Sequence, residues 1–155
     1  MDTNAPRPPR PTPTRREAFP HLQAITTRWL DNDAYGHVNN AVYFTYFDTV
    51  VNTFLIGRGV LDVARGPVIG VVVDVGCHYF ASLAYPEAVT GGLRVAHIGG
   101  SSVRYEIALF GEGREEAAAQ GHFVHVYVDR ETRRPVRLPD ALRAALQPLV
   151  IGSTS

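Results

Sequence analysis

A regular stripe of apolar side chains along residues 43–55 constrains the fold of this chain more than any other feature. The apolar positions recur at intervals of three and four residues, which is the spacing of one face of an α-helix. Polar residues fill the opposite face without exception. The pattern predicts an amphipathic helix over residues 40–57, with Asn39 or Asn40 as its N-cap. The stripe consists of Tyr43, Tyr46, Phe47, Val50, Val51, Phe54 and Leu55.

Segments rich in valine and aromatic residues lie on both sides of this helix and predict strands. Short turns join the later strands, so we expect these neighbours to be antiparallel and to form a meander. A five- to six-stranded antiparallel sheet wrapped around one long central helix, an α+β fold, would bury the apolar faces of both. The expected strands are 21–29, 68–82, 87–98, 101–110 and 115–128, and a short helix is expected at 139–147.

The length and composition predict one folded domain behind a disordered tail. The chain has 155 residues, and five prolines among Arg and Thr in residues 1–18 leave that segment little to bury. We therefore expect the domain to span residues 19–150. Exposed sheet edges invite pairing with a second copy, so a homodimer or homotetramer is expected.

Charge and hydropathy exclude several classes of partner. The formal net charge is zero, so no overall field recruits nucleic acid or an anionic membrane surface. No apolar run is long enough to cross a bilayer, and we expect a cytoplasmic protein. The only cysteine, Cys77, excludes an internal disulfide.

The segment 31–40, just before the helix, combines groups that can do chemistry. Asp33 and His37 lie four residues apart in a predicted tight turn. Free N–H groups at a helix start favour negative charge, which suits a reaction that develops an oxyanion. The alternative is an Asx turn in which these side chains only bind local backbone.

The sequence predicts no metal site and no cofactor. The Asp-rich turn resembles the start of a calcium loop, but Tyr35 and Val42 occupy two positions where that loop needs oxygen ligands. His122 and His125 are three residues apart on a predicted strand, so their side chains point to opposite faces and cannot share one ion.

Three segments of the chain resemble hotdog-fold acyl-CoA thioesterases of the 4-hydroxybenzoyl-CoA thioesterase type. The most specific is a pattern of two aspartates, Gly-His-Val-Asn-Asn and a later aromatic pair. The resemblance covers nearly all the chain outside the proline tail. The segments are RWLDNDAYGHVNNAVYFTYF, GVVVDVGCHYFASLAYPEAV and HVYVDRETRRPVRLP.

The resemblance implies a hotdog fold, an oligomer with active sites between subunits, and hydrolysis of an acyl-CoA to free acid and CoA. The catalytic carboxylate of the family falls on Asp33, as nucleophile or general base. The oxyanion donor, a backbone N–H at the helix start, falls on or near Asn40. Related plant acyl-carrier-protein thioesterases have a functional histidine at the position of His37.

The resemblance also indicates which residues contact substrate, and it leaves rival functions open. A thioesterase for acyl-carrier-protein and a non-catalytic acyl-CoA-binding protein share this fold. Ser101, Ser102 and Arg104 fall near the CoA side of the family's site. The remaining expected substrate contacts are Tyr35, Gly36, Asn39, Tyr43, Phe47 and Phe80.

Overall fold

The computed structural model describes residues 6–152, which form one five-stranded antiparallel sheet and one long helix. The long helix α1 spans Val42–Gly57 and a short helix α2 spans Asp140–Leu146. The sheet order is β1-β3-β4-β5-β2. The strands are β1 His21–Ile25, β2 Val68–Tyr79, β3 Val89–Ile98, β4 Ser102–Phe110 and β5 Ala119–Asp129.

The long helix confirms the stripe that the sequence predicts. Helix α1 packs against β1, β3 and β4. Its buried residues are the seven members of the stripe, and Phe47, Val50 and Val51 are fully enclosed. Burial of this face against the sheet stabilises a helix whose β-branched residues alone would form one poorly. The predicted α+β architecture is therefore confirmed.

The predicted meander of four strands is wrong for β2. Strands β3, β4 and β5 do follow one another, but β2 pairs with β5 and not with β3. Strand β1 already occupies the free edge of β3, and the connection 80–88 is long enough to carry the chain to another strand. Strand β2 therefore forms one edge of the sheet, where twelve residues lack an outer neighbour within the described chain.

Three strand predictions are too long by three or four residues, each for a local reason. The second strand ends at Tyr79 and not at 82, because the backbone N–H groups of Phe80 and Ala81 both donate to the Ala118 carbonyl. The first strand ends at Ile25 because Trp29–Asp31 forms a 3-10 turn. The last strand begins at Ala119, since the residues before it pair with the N-terminal segment.

Part of the predicted disordered tail is ordered. The backbone N–H of Thr14 donates to Gln120 Oε1 over 2.8 Å, and Arg15 forms a β-bridge with Glu116. These hydrogen bonds satisfy backbone N–H and C=O groups of the N-terminal segment that would otherwise be bonded to water. Residues 1–5 of the tail lie outside the described part of the chain. The expected extent of the domain, 19–150, remains a prediction.

Behind this segment, a small apolar cluster covers the outer face of the sheet. Phe19 packs edge-to-face on Phe110, with ring centroids 5.9 Å apart, and Ala108 and Ala117 complete the cluster.

No helix among residues 6–152 is both long enough and apolar enough to cross a membrane.

Candidate active site

The turn before α1 is a hairpin tied together by backbone hydrogen bonds. The Asp33 N–H donates to the His37 carbonyl over 2.8 Å, and the Gly36 N–H donates to the Asp33 carbonyl over 3.1 Å. Gly36 has a φ of 82°, a conformation that favours glycine. The hairpin holds Asp33 and His37 at its two ends, so they are neighbours in space as the sequence predicts.

Asp31, not Asp33, anchors the turn to the body of the protein. Its side chain is 1% exposed and accepts the Tyr46 hydroxyl over 2.6 Å and the Arg28 N–H over 2.8 Å. Burial alone would raise the pKa of Asp31, but these hydrogen bonds from Tyr46 and Arg28 outweigh it and lower the pKa. Asp31 is therefore a buried structural carboxylate, a role that the sequence analysis missed.

Asp33 is half-buried, and much of its carboxylate remains available. Its Oδ1 accepts the Tyr35 N–H over 2.8 Å, and no other hydrogen bond reaches this side chain within residues 6–152. This is the Asx turn that the sequence offered as an alternative. One oxygen holding the turn leaves the second free to meet a substrate or a water, so the Asx role and a chemical role are compatible.

The helix start differs by two residues from the prediction. Helix α1 begins at Val42, and its N-cap is Ala41, which makes no side-chain cap. Asn39 Oδ1 instead accepts the Ala41 N–H over 2.9 Å, which lies one residue before the first residue of the helix. The Asn40 backbone N–H donates to no acceptor within residues 6–152. An unbonded N–H thus lies next to the positive end of the helix dipole.

A cleft of about 290 Å³ opens between this helix start and the end of β2. The Tyr79 hydroxyl donates to the Asn40 carbonyl over 2.8 Å, and its ring meets that of Tyr43 edge-to-face with centroids 4.8 Å apart. These contacts hold the two walls together. The cleft is lined by His37, Val38, Asn40, Tyr43, Tyr79, Phe80, Ala81 and Ser82.

The Tyr79 phenol, which lines the cleft, and the nearby Cys77 thiol are both protonated at neutral pH. Burial raises the pKa of the Tyr79 phenol to about 12 and that of the Cys77 thiol to about 11. Cys77 is not among the residues that line the cleft, and a protonated thiol is a poor nucleophile, so both observations argue against it as the attacking group.

A family model described as the thioesterase-like superfamily matches residues 27–146. The match includes the hairpin, α1 and every strand except β1. This chain belongs to the thioesterase-like superfamily. It is a thioester hydrolase, and its helix and sheet form the hotdog fold that the sequence predicts.

Solved structures agree with this membership. A protein from Pseudomonas aeruginosa strain PAO1 is 56% identical, with a TM-score of 0.87, and the match covers 90% of this chain and 97% of that one. A thioesterase from Thermus thermophilus, solved with coenzyme A and zinc, is 32% identical with a TM-score of 0.70, covering 86% and 96%.

A more distant structure shows the fold alone. The 1,4-dihydroxy-2-naphthoyl-CoA thioesterase from Synechocystis is 13% identical with a TM-score of 0.74, covering 81% of this chain and 93% of that one. No curated protein matches this sequence at a significant level. The 4-hydroxybenzoyl-CoA type within the thioesterases remains a prediction.

The cleft of this thioesterase contains several of the expected residues, and the sequence missed one. His37, Asn40, Tyr43 and Phe80 all line it, while Asp33, Tyr35, Gly36 and Asn39 belong to the adjoining hairpin. Tyr35 is 86% exposed and reaches away from the core. Tyr79 carried no sequence signal, because its place beside the helix start depends on the pairing of β2 with β5.

Phe47 is part of the core rather than of the cleft. It is fully buried and packs against Phe44 and Phe123 with centroids 5.8 Å away in both cases. Its expected contact with substrate remains a prediction, while within one chain the α1 stripe uses this side chain to close the core.

Three further expected residues lie far from the cleft in a single chain. Ser102 pairs with Val126, whereas Tyr79 pairs with Ala119, and seven residues of strand separate these points by about 23 Å. Ser101 precedes Ser102, and Arg104 points to the outer face, where it lines a different depression. One chain alone does not bring them to Asp33.

Proposed function

We propose that this thioesterase hydrolyses an acyl-CoA at the cleft between the start of α1 and the end of β2, releasing the free acid and CoA. The observation that carries the proposal is the unbonded Asn40 N–H at the helix start, with the carboxylate of Asp33 in the adjoining hairpin. The CoA-bound relative from Thermus thermophilus supports CoA as the carrier.

The helix start would activate the thioester carbonyl. A carbonyl oxygen docked against the Asn40 N–H would gain negative charge as the tetrahedral intermediate forms. The dipole of α1 stabilises that charge in the same direction. The Tyr79 hydroxyl is bonded to the Asn40 carbonyl, which belongs to the next peptide, and so restrains the residue whose N–H would be the donor before substrate binds. Such preorganisation is what makes an oxyanion site effective.

Asp33 would supply the second group that the reaction needs. As a nucleophile, its free oxygen forms a bond to the carbonyl carbon, the C–S bond breaks, and CoA leaves as a thiolate that takes a proton. Water then hydrolyses the acyl anhydride. As a general base, Asp33 takes a proton from the water that attacks. In both routes His37 lines the entrance, where it would contact the substrate.

We further propose that the enzyme is a homodimer joined through β2. The sequence of residues 70–76, GVVVDVG, reads nearly the same in both directions around Val73. A two-fold interface places a segment against itself, so such a strand suits antiparallel pairing with its own copy. The strand lacks an outer partner within the described residues, and Val72, Val73 and Val75 are between 43% and 59% exposed.

The test is thiol release from a panel of acyl-CoAs by wild type and Asp33→Asn. We expect wild type to hydrolyse at least one member and Asp33→Asn to lose at least about a hundredfold in kcat, with an unchanged melting temperature. Asp140→Asn is the control, because the Asp140 carboxylate is 94% exposed at the start of α2, beside the turn between β3 and β4 and away from both the cleft and the β2 edge. Near-normal turnover by Asp33→Asn would refute the assignment.

Label found in the Asp33 carboxylate after hydrolysis in ¹⁸O-labelled water would identify the nucleophilic route. Attack of water on the Asp33 side of an anhydride leaves label in that carboxylate after repeated turnovers, whereas a general base never acquires it. If wild type hydrolyses acyl-carrier-protein thioesters and no acyl-CoA, the carrier named here is wrong.

A further inference from the structure

Three large apolar side chains in the segment before α1 face solvent. Trp29 is 79% exposed, Leu30 80% and Tyr35 86%, and no other large apolar side chain among residues 6–152 is more than 65% exposed. All three lie within residues 29–35, and the hairpin that contains Tyr35 also contains Asp33. Single apolar residues on a surface need no explanation, whereas several together often mark an interaction site. We refer to these three residues as the apolar tip.

The apolar tip is held in place by the body of the protein. Its first two residues belong to the 3-10 turn Trp29–Asp31, which is anchored through the buried carboxylate of Asp31. The Asn32 side chain bonds the Tyr85 backbone in both directions, over 3.4 Å and 3.0 Å. The Trp29 ring meets that of Tyr85 edge-to-face, with centroids 6.2 Å apart. Because these contacts fix the turn, its apolar side chains are exposed by the fold itself and not by a loose loop.

Most of the apolar tip lies away from the sheet edge at which we propose the two-fold pairing. Trp29 follows β1, and Tyr85, its ring partner, precedes β3. These two strands form one side of the sheet, whereas β2 forms the opposite edge. Pairing of β2 with a second copy therefore does not place Trp29 and Leu30 in the interface.

The size and chemistry of the apolar tip suit a lipid surface better than a protein partner. Its three side chains expose roughly 500 Å² together, whereas a stable protein interface takes about 800 Å² from each partner. A bilayer interface needs only a few inserted side chains. Tryptophan and tyrosine concentrate there, because each combines an apolar ring with a polar end.

The charges around the apolar tip indicate which kind of lipid surface it fits. Residues 29–40 contain two charged side chains at pH 7, the buried Asp31 and Asp33. In the N-terminal segment at this end of the sheet, Arg15 pairs with Glu116 across a β-bridge, so charges of both signs lie there. The formal net charge of the chain is zero. Attraction must therefore come from apolar insertion, which a neutral, zwitterionic surface supports.

We propose that the apolar tip inserts into the interface of a lipid bilayer and holds the protein there. Trp29, Leu30 and Tyr35 would lie at the boundary between headgroups and acyl chains. The inference goes beyond the proposed function and does not depend on it, since the binding involves no thioester. In a protein bound in this way, the cleft beside the hairpin would lie next to the surface into which acyl groups partition.

The test uses Trp29, which is the only tryptophan of the chain, so its fluorescence reports on the apolar tip alone. The full-length protein is titrated with phosphatidylcholine vesicles in the absence of substrate. We expect the emission to shift to shorter wavelength, and lipids with brominated acyl chains to quench it. Cosedimentation with the vesicles measures the bound fraction independently.

Leu30→Ser should weaken the partition coefficient by about fivefold or more, because the inserted apolar surface is lost. Tyr35→Ser should weaken it in the same direction. Both side chains face solvent, so the melting temperature should stay unchanged. Ile56→Ser is the matched control. Ile56 is 52% exposed at the C-terminal end of α1, the end opposite the hairpin, and this variant should bind vesicles as wild type does.

Three results would overturn the inference. The first is that wild type neither cosediments with phosphatidylcholine vesicles nor changes its emission. The second is binding only to vesicles that contain phosphatidylglycerol, with Leu30→Ser bound as well as wild type, which would assign the attraction to the arginines of residues 7–16. The third is an emission shift that grows with protein concentration without vesicles and is lost in Leu30→Ser, which would make a second copy the occupant. Each of them leaves the proposed function as it stands.

Discussion

Two aspartates only two residues apart in the hairpin have opposite tasks. Asp31 is buried and bonded on several sides, whereas Asp33 has one hydrogen bond and partial access to solvent. The difference comes from Tyr46, which reaches Asp31 from the helix. At the scale of single residues, one carboxylate therefore supports the turn and the other remains available for chemistry.

Asp31→Asn should lower the free energy of unfolding by about 2 kcal/mol, because hydrogen bonds to a charged acceptor are weakened. Denaturant unfolding at pH 7 measures the loss. Asp33→Asn is the control and should leave the unfolding free energy nearly unchanged. Equal destabilisation by the two substitutions would contradict the division of roles.

The stabilisation by Asp31 should also depend on pH. Its pKa is lower in the folded state than its usual value, so its contribution is complete above that usual value and disappears as the pH falls through the folded pKa. The difference between wild type and Asp31→Asn should therefore shrink in strongly acidic solution. A difference that stays constant down to complete protonation would be inconsistent with this account.

His125 predicts a separate pH dependence, because burial lowers its pKa from 6.5 to about 4. Between these values the unfolded chain binds a proton that the folded protein does not, so stability falls as the pH is lowered. The loss attributable to this residue is about 3 kcal/mol over the interval. His125→Phe should remove that part of the decline in denaturant unfolding. An identical decline in both proteins would exclude it.

At the scale of elements, the site depends on where the end of one strand meets the start of one helix. Tyr79 ends β2 and bonds the Asn40 carbonyl just before α1, while the Asn32 side chain bonds the backbone of Tyr85 in the next connection. Elements distant in sequence thus position the helix start from both sides. The periodic stripe predicts the helix, but nothing local predicts these attachments.

Tyr79→Phe should lower kcat by about tenfold with little change in melting temperature. Without its hydroxyl the Asn40–Ala41 peptide is less firmly held, and with it the neighbouring Asn40 N–H; small misplacements at a reacting centre are costly. Steady-state kinetics measure the effect. Tyr85→Phe is the control, because the Tyr85 hydroxyl makes no hydrogen bond among residues 6–152. Unchanged kcat in Tyr79→Phe would show that the contact is dispensable.

The sequence predicts the parts of this structure that local patterns determine, and it misses the parts that depend on contacts between distant residues. The seven stripe residues are buried as expected because helical periodicity requires only neighbours in sequence. The pairing of β2 with β5 was missed because it joins residues about fifty positions apart, and no short pattern encodes that choice. For the same reason, no local pattern predicts that Tyr79 lines the cleft. Nor does one predict that Ser101, Ser102 and Arg104 lie far from it in a single chain.

At the scale of the whole molecule, the two edges of the sheet are unequal. Strand β1 has five residues and β2 has twelve, and a register shift between Val72 and Asp74 interrupts the middle of β2. A long apolar edge is a place where chains pair, whereas a very short one is protected by its length. The molecule therefore has one edge suited to a second copy.

Val73→Glu should convert the proposed dimer to a monomer and abolish most activity, since like charges would oppose one another across the two-fold axis. Light scattering after gel filtration gives the mass, and thiol release gives the activity. Leu22→Glu, on the short edge strand β1, should leave both unchanged. A monomeric wild type with full activity would rule out the shared site.

The N-terminal segment that packs on β5 has a consequence for the order of folding. Thr14 and Arg15 are among the first described residues to leave the ribosome, yet their partners, Glu116, Ala117 and Gln120, are made about a hundred residues later. Strand β2 likewise waits for β5. Because non-local pairing cannot begin before both partners exist, the long apolar edge strand must remain unpaired while residues 80–118 and then β5 are made, a period when such strands are prone to aggregate.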